Sequence, residues 1–285
     1  MSCTNINNFA LFGYPVAQSL SPIIHEAFAR QYNLDINYSC MAVKELELRD
    51  CLKQFIAAGG RGVNITAPLK ELSYRLVSNL SKRALATGSV NTLTMRNGII
   101  WGDNTDGIGF IRDATQRHAI AIEKQRILIL GAGGVVRGIL ANILELGPLT
   151  VTIANRDLSR VDLIAKDFAE HGEILSIAYT SLKNQAFDLI INGSSASADQ
   201  LAQLLPAQFN FQAGCCYDLN YRENSGSFSA LARAKGATRT INGLGMLVEQ
   251  AAESFKIWHG VQPLTEPVLV QLQQTTGQIS AVYSV

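Results

Sequence analysis

The chain has 285 residues, a formal net charge of +1, 47% hydrophobic residues and 16% charged residues. That length accommodates about two domains with sizeable cores, and near-neutral charge without a Lys/Arg run gives no footing for nucleic acid. No apolar run reaches the ~18 residues of a membrane span, and residues 1–15 lack the basic-then-apolar order of a signal peptide, so no membrane partner is expected.

Residues 9–12 read as a strand stopped by Gly13 and Pro15. Ser21-Pro22 opens a helix, with serine as N-cap and proline at the first helical position. Ile23, Ile24, Ala27 and Phe28 form its buried face. A second strand is expected over 38–43, and a helix over 46–58 closed by Gly59-Gly60. Val63-Asn64-Ile65 is a third strand, since β-branched residues flank Asn64. Pro68, having no N–H for a ladder, breaks it. The turn that follows carries Thr66 and ends at Lys70. A lysine at a strand end, beside amide and hydroxyl groups, suits proton transfer on a small polyol or acid. Taken alone, the same segment also describes a solvated surface lysine. Residues 90–95 and 99–101 flank Arg96-Asn97-Gly98 as a hairpin.

After Asp106 the texture changes. An apolar run at 126–130 ends in Gly131-Ala132-Gly133-Gly134, and a helix pattern follows from Val135 to residue 146. A strand at 150–154, a helix at 158–169 and strands at 187–191 and 214–219 continue the alternation. This βαβα rhythm predicts a parallel, doubly wound sheet over residues 107–240. Helical patterns over 244–259 and from Glu266 onward close the chain. They are placed to return to the first domain, giving a domain of residues 1–106 completed by 241–285, and a ligand cleft between two lobes.

The glycine turn fits a dinucleotide. Gly131 permits the tight turn, Gly133 lets backbone approach a pyrophosphate, and the helix N-terminus offers free N–H groups. Val136 stands at the third glycine's position, with Gly134 close by; a plain structural turn is the alternative. The second strand of this region ends at Asn155 and Arg156, with Arg160 one helical turn further on. Two guanidinium groups suit a 2′-phosphate, which favours NADP. Asp157 leaves NAD possible, because its carboxylate can accept ribose hydroxyls or repel the phosphate.

Cys3, Cys40, Cys51, Cys215 and Cys216 are odd in number and lack C-x-x-C spacing, as in a reduced, cytoplasmic protein. His25, His118, His171 and His259 are scattered, and no metal site is expected.

Taken in order, several segments resemble the shikimate dehydrogenase family (shikimate/quinate dehydrogenases) nearly end to end. They are Gly13-Tyr14-Pro15-Val16-Ala17-Gln18-Ser19-Leu20-Ser21-Pro22, Asn64-Ile65-Thr66-Ala67-Pro68-Leu69-Lys70 and Gly88-Ser89-Val90-Asn91-Thr92. Gly102-Asp103-Asn104-Thr105-Asp106-Gly107, the glycine turn, Asn155-Arg156, Tyr217-Asp218-Leu219-Asn220-Tyr221 and the segment Asn242 to Ala252 complete the set. The resemblance implies an α/β protein of two lobes: an N-terminal α/β substrate domain and a Rossmann-type NADP-binding domain, with C-terminal helices returning to the first.

The implied reaction is reversible, NADP-dependent reduction of 3-dehydroshikimate to shikimate, a step of aromatic amino-acid biosynthesis. Lys70 is implied as proton donor and acceptor, with Asp106 as its partner. Ser19 and Ser21 would bind the substrate carboxylate, and Asn64, Thr66, Asn91, Tyr221 and Gln250 the rest of the substrate. Gly131, Ala132, Gly133, Gly134, Val135, Asn155, Arg156, Arg160, Leu219, Gly243 and Met246 are the implied cofactor residues. Asp106 and Ser21 have helix capping as an alternative role, and Tyr221 and Met246 have packing. Gln18 replaces the family's usual histidine, and Asp157 a threonine or serine of NADP-specific members. A quinate/shikimate dehydrogenase using NAD or NADP, and a non-catalytic dinucleotide-sensing relative, are the alternatives; monomer and homodimer both remain open.

Overall fold

Two six-stranded sheets organise the chain. The computed structural model describes residues 7–182, 185–212, 214–221 and 227–276. One sheet belongs to a unit made of the residues up to Gly109 and those from Val248 on; the other belongs to Phe110–Leu247.

The first unit runs β1 (Asn7–Gly13), α1 (Ser21–Gln31), β2 (Ile36–Ala42), α2 (Leu48–Ala57), β3 (Gly60–Ile65), α3 (Lys70–Leu76), β4 (Asn79–Leu80), α4 (Lys82–Thr87), β5 (Thr92–Arg96), β6 (Ile99–Asp103) and the start of α5 (Asp106–Ile111). Its strand order is β2-β1-β3-β5-β6-β4. β1 pairs in parallel with β2 and β3, whereas β3–β5 and β5–β6 are antiparallel. The β5–β6 turn places Asn97 and Gly98 at φ 52° and 75°, the double positive φ that a two-residue hairpin favours.

Side chains alternate across this sheet, as strand geometry requires. Ala10, Phe12, Val63, Ile65 and Leu93 bury one face with Leu48 and Leu52 of α2. Asn64 and Thr92, directly opposed in register, therefore point to the other face. There the C-terminal helix returns, with Trp258 stacked on Phe9 at 4.7 Å and its Nε1 donating to the Leu93 carbonyl at 3.0 Å.

Ser21 departs from expectation. The residue flanking the helix is Leu20, already helical at φ −86° and ψ −5°, and no side chain caps it. The Ser21 amide donates instead to Ser19 Oγ at 3.2 Å, so Ser19 supplies the turn that Ser21 was expected to make.

His25 of α1 is 1% exposed and stacks on Tyr38 at 4.4 Å. Burial, reinforced by His259, pushes its pKa down to about 3. The folded state therefore holds His25 neutral while the unfolded chain protonates it near pH 6.5. Between those values the unfolded state binds more protons, so stability falls as pH drops below about 6.5, by up to ~1.4 kcal/mol per pH unit from this group. Urea unfolding at pH 7 and pH 5 should show a smaller loss for His25→Phe than for wild type; an equal loss would remove His25 as the source.

The second unit contains β7 (Arg126–Leu130), α6 (Gly134–Glu145), β8 (Thr150–Asn155), α7 (Leu158–Asp167), β9 (Ile174–Ala178), β10 (Leu189–Asn192), α8 (Ala198–Leu204), β11 (Cys215–Asp218), α9 (Phe228–Ala234) and β12 (Thr240–Ile241). α10 (Leu244–His259) and α11 (Glu266–Thr276) follow. All neighbouring strand pairs here are parallel, in the order β9-β8-β7-β10-β11-β12. Counted within the unit this is 3-2-1-4-5-6, the order of doubly wound dinucleotide-binding sheets. Its strands are apolar runs because helices cover a parallel sheet on both faces; Leu128, Leu130, Ile190 and Cys216 pack with Phe209, Phe211 and Phe228. Burial raises the thiols of Cys215 and Cys216 to about 11 and about 12, as suits inert core residues. Among the described residues no helix is long and apolar enough to cross a membrane.

Candidate functional site

Lys70 is the first residue of α3 and Asp106 the first of α5. Lys70 Nζ donates to Asp106 Oδ2 at 2.6 Å, with the side chains only 12% and 5% exposed. Lys70 is thus not the solvated surface residue that its local sequence also allowed. Asp106 is itself the first helical residue of α5; its amide donates to Asn104 Oδ1 at 3.0 Å, and one of its carboxylate oxygens accepts from the lysine.

Asn91 holds the other carboxylate oxygen. Its Nδ2 donates to Asp106 Oδ1 at 2.9 Å, and reaches Thr105 Oγ1 at 2.9 Å and Gln250 Oε1 at 3.2 Å. Its Oδ1 accepts from the Thr105 amide at 2.9 Å and from Thr92 Oγ1 at 2.8 Å. Asn64 joins the same system: its Oδ1 accepts from Tyr38 OH at 2.8 Å, and its Nδ2 lies 3.1 Å from Ser254 Oγ. Ser254, one helical turn beyond Gln250 on α10, meets Thr92 at 2.8 Å and Thr105 at 3.2 Å. Ser21 Oγ accepts from Ser19 Oγ at 3.1 Å in the same unit.

Asn64, Asn91, Asp106, Lys70 and Gln250 therefore lie on one continuous hydrogen-bonded network, while Ser19 and Ser21 bond to each other in the same unit. Tyr38, Thr92, Asn104, Thr105 and Ser254 complete the network and were not anticipated. Thr66 is half-buried in the loop after β3, where its amide donates to the Phe12 carbonyl at 2.9 Å. Tyr221 is half-buried in the second unit, three residues past β11, and so is not in the unit that holds the other substrate candidates.

In the second unit Gly131 follows β7 with φ +101°. A Cβ there would lie 2.9 Å from the Ser194 amide nitrogen and Cα, both backbone atoms. Only glycine fits that approach and that dihedral. Gly133 flanks α6 with extended backbone, and a Cβ on it would meet nothing within 4 Å. Open space at the N-terminus of a twelve-residue helix suits a pyrophosphate. Ala132 and Val135 flank these glycines, and Gly134 is the first helical residue. The missing third glycine also has an explanation. Val136 is fully buried, and a Cβ on Gly193 would lie 2.4 Å from its Cγ2, so the small residue sits on the loop after β10 instead.

Gly131→Ala should lower the melting temperature and weaken NADPH binding at least about tenfold, since it adds both strain and a backbone clash. Thermal unfolding with fluorescence titration checks this, and an unchanged affinity would contradict it.

At the end of β8, Asn155 Nδ2 donates to the Asp157 carbonyl at 2.9 Å. Asp157 is the N-cap of α7, its Oδ1 accepting from the Ser159 amide at 3.0 Å and Ser159 Oγ at 2.6 Å. These bonds, led by the Ser159 side chain, hold its pKa below the usual value. Arg156 and Arg160 are exposed, and Arg156 precedes the helix rather than sharing a helical turn with Arg160. Leu219 follows β11, and its carbonyl lies 2.4 Å from where a Cβ on Gly243 would stand; Met246 is buried at the start of α10. Asn192, whose Oδ1 accepts from the Ser194 amide at 3.2 Å, organises the loop facing Gly131 and was not anticipated. Among the described residues no cluster of three or more His, Cys, Asp or Glu side chains is arranged to hold a metal ion.

Family models match in three stretches: a shikimate dehydrogenase substrate binding domain over residues 11–93, a shikimate/quinate 5-dehydrogenase over 113–205, and a shikimate 5′-dehydrogenase C-terminal domain over 243–273. The shikimate dehydrogenase (NADP(+)) of Chromobacterium violaceum is 41% identical, across 94% of this chain and 98% of that protein. The enzyme of the same name from Nitrosospira multiformis is 42% identical, with the same coverage. Among solved structures, an Ael1 enzyme from Pseudomonas putida gives a TM-score of 0.84 at 37% identity, covering 93% of this chain and 98% of that one. Shikimate 5-dehydrogenase from Thermus thermophilus, in complex with NADP(H) and shikimate, gives 0.80 at 30% identity, covering 94% and 99%.

Proposed function

Because the chain belongs to the shikimate dehydrogenase family, we propose that it catalyses the reversible NADP-dependent reduction of 3-dehydroshikimate to shikimate, a step of aromatic amino-acid biosynthesis. The observation that carries this reading is the 2.6 Å Lys70–Asp106 pair at the head of a polar network. In the reducing direction the Lys70 ammonium polarises the ketone oxygen and gives it a proton; in reverse, neutral Lys70 accepts the hydroxyl proton. Asp106 holds Nζ in place and is itself held by Asn91. Ser19 and Ser21 offer hydroxyl donors to the substrate carboxylate, and Asn64, Thr66, Asn91, Tyr221 and Gln250 serve the ring oxygens.

When bound, NADPH supplies the hydride. The α6 N-terminus with Gly131, Ala132, Gly133, Gly134 and Val135 would hold its pyrophosphate. Asn155, Arg156 and Arg160 would hold the 2′-phosphate, and Leu219, Gly243 and Met246 the nicotinamide end. The open space over Gly133 supports this assignment.

Steady-state kinetics with shikimate or quinate, each with NADP+ or NAD+, test the reading. Shikimate with NADP+ should give the highest kcat/KM. Equal or better use of quinate with NAD+ would replace it by the quinate/shikimate alternative, and cofactor binding without turnover of any pair would favour a sensing role.

A further inference from the structure

Arg83 of α4 carries no role in the chemistry above, yet its guanidinium binds two carboxylates from different elements. Nε donates to Asp103 Oδ1 at 3.0 Å and Nη2 to Asp103 Oδ2 at 2.8 Å, while Nη1 donates to Glu253 Oε1 at 2.9 Å. The first two bonds form the planar fork that arginine makes with a carboxylate and lysine does not. Asp103 closes β6, and Glu253 lies on α10 between Gln250 and Ser254. The Asp103 and Glu253 side chains are 17% and 8% exposed, so solvent screens these pairs far less than a surface bridge.

From Asp103 the constraint runs residue by residue to the reacting pair. Asp103 Oδ1 also accepts from Ser81 Oγ at 2.6 Å and from the Asn104 amide at 2.7 Å. Asn104 Nδ2 is anchored on Ser89 Oγ at 2.7 Å, and Asn104 Oδ1 accepts from the Asp106 amide at 3.0 Å. The Thr105 amide donates to Asn91 Oδ1. Asp106 then meets Lys70.

We propose that Arg83 is a positioning residue: by clamping Asp103 to Glu253 it fixes the 103–106 segment against α10, so that Asp106 stays aimed at Lys70 while Gln250 stays beside Asn91. This inference rests on reading Lys70 and Asp106 as the proton-transfer pair. A misplacement of about 1 Å in such a pair costs up to ~10²-fold in rate. Arg83→Met should therefore lower kcat for shikimate oxidation by about 10–100-fold. KM for NADP+ should stay within about twofold, because Arg83 lies outside the nucleotide residues. Arg83→Lys should recover only part of the loss, since a point charge does not reproduce the fork.

Two readouts separate positioning from general destabilisation. In an Asp106→Ala background, where the bond to Lys70 is already gone, Arg83→Met should cost little more, because both changes strike the same pair; additive losses would overturn the proposal. Amide hydrogen exchange at Asn104, Thr105 and Asp106 should speed up in Arg83→Met, whereas wild-type exchange together with wild-type kcat would also overturn it. Should Arg83→Met not fold, Asp103→Asn keeps the shape, removes the charge and carries the same expectations. A wild-type protein that turns over no shikimate would sink the functional reading, while the exchange experiment would still decide whether the clamp exists.

Discussion

Lys70→Ala is expected to lower kcat and kcat/KM together by about 10²–10⁴-fold, the usual contribution of a positioned general acid–base group. The two parameters should fall in parallel because the ammonium matters most as negative charge develops on the ketone oxygen, an interaction of the transition state rather than of bound substrate. The fold should survive. Lys70 heads a helix rather than filling the core, and the Asp106 carboxylate it leaves behind keeps a donor in Asn91 Nδ2 at 2.9 Å. KM for NADP+ should change little, since the residues assigned to the nucleotide belong to the other unit. Asp106→Asn should cost less than Lys70→Ala, because the amide still accepts from the lysine and only the orienting charge is lost. A folded Lys70→Ala protein with near wild-type kcat would end the assignment; small primary amines added to the variant should restore part of the rate if the missing group is the proton donor.

Lys70 and Asn64 were legible because the clues are local: β-branched neighbours make the strand and a proline ends it. The glycine turn was legible for the same reason, since strand, turn and helix follow one another. The network around Asp106 was not. Asn64 faces Thr92 only through the register of β3 on β5, and register between distant segments is set by burial of whole faces rather than by adjacent residues. Ser254 reads as a small residue in an apolar helix until the helix is seen to return against that face. Strands β4 and β12, two residues each, are too short for any periodicity to show. Ser21 misled because the N-cap rule requires the capping residue itself to be non-helical, whereas Ser21 is already the first residue of α1 and Leu20 flanks it. The substituted third glycine is explained only by Gly193, 57 positions after Val136 (193 − 136) and beside it in space.

Replacing both Arg156 and Arg160 with alanine is expected to raise KM for NADP+ by about two orders of magnitude and to leave KM for NAD+ nearly unchanged. Each charge-assisted contact to a phosphate is worth at least roughly tenfold, and both side chains stand exposed, Arg156 just past β8 and Arg160 in the first turn of α7, where a 2′-phosphate would be read. Exposure places the effect at the lower end of that range, because solvent and salt screen it. The discrimination should therefore narrow in wild type as ionic strength rises and be nearly salt-independent in the double variant. Asp157 sharpens the test. Read from the sequence, its carboxylate competes for the ribose; in the structure it is bound to the amide and hydroxyl of Ser159 and starts α7. Asp157→Ser preserves the capping oxygen and removes a negative charge beside the two arginines. If Asp157 acts as the cap, this change should improve KM for NADP+ by a few fold, roughly the scale of one screened charge, and leave KM for NAD+ alone. If it holds ribose hydroxyls instead, KM for NAD+ must rise, and the arginines alone would no longer account for the cofactor preference.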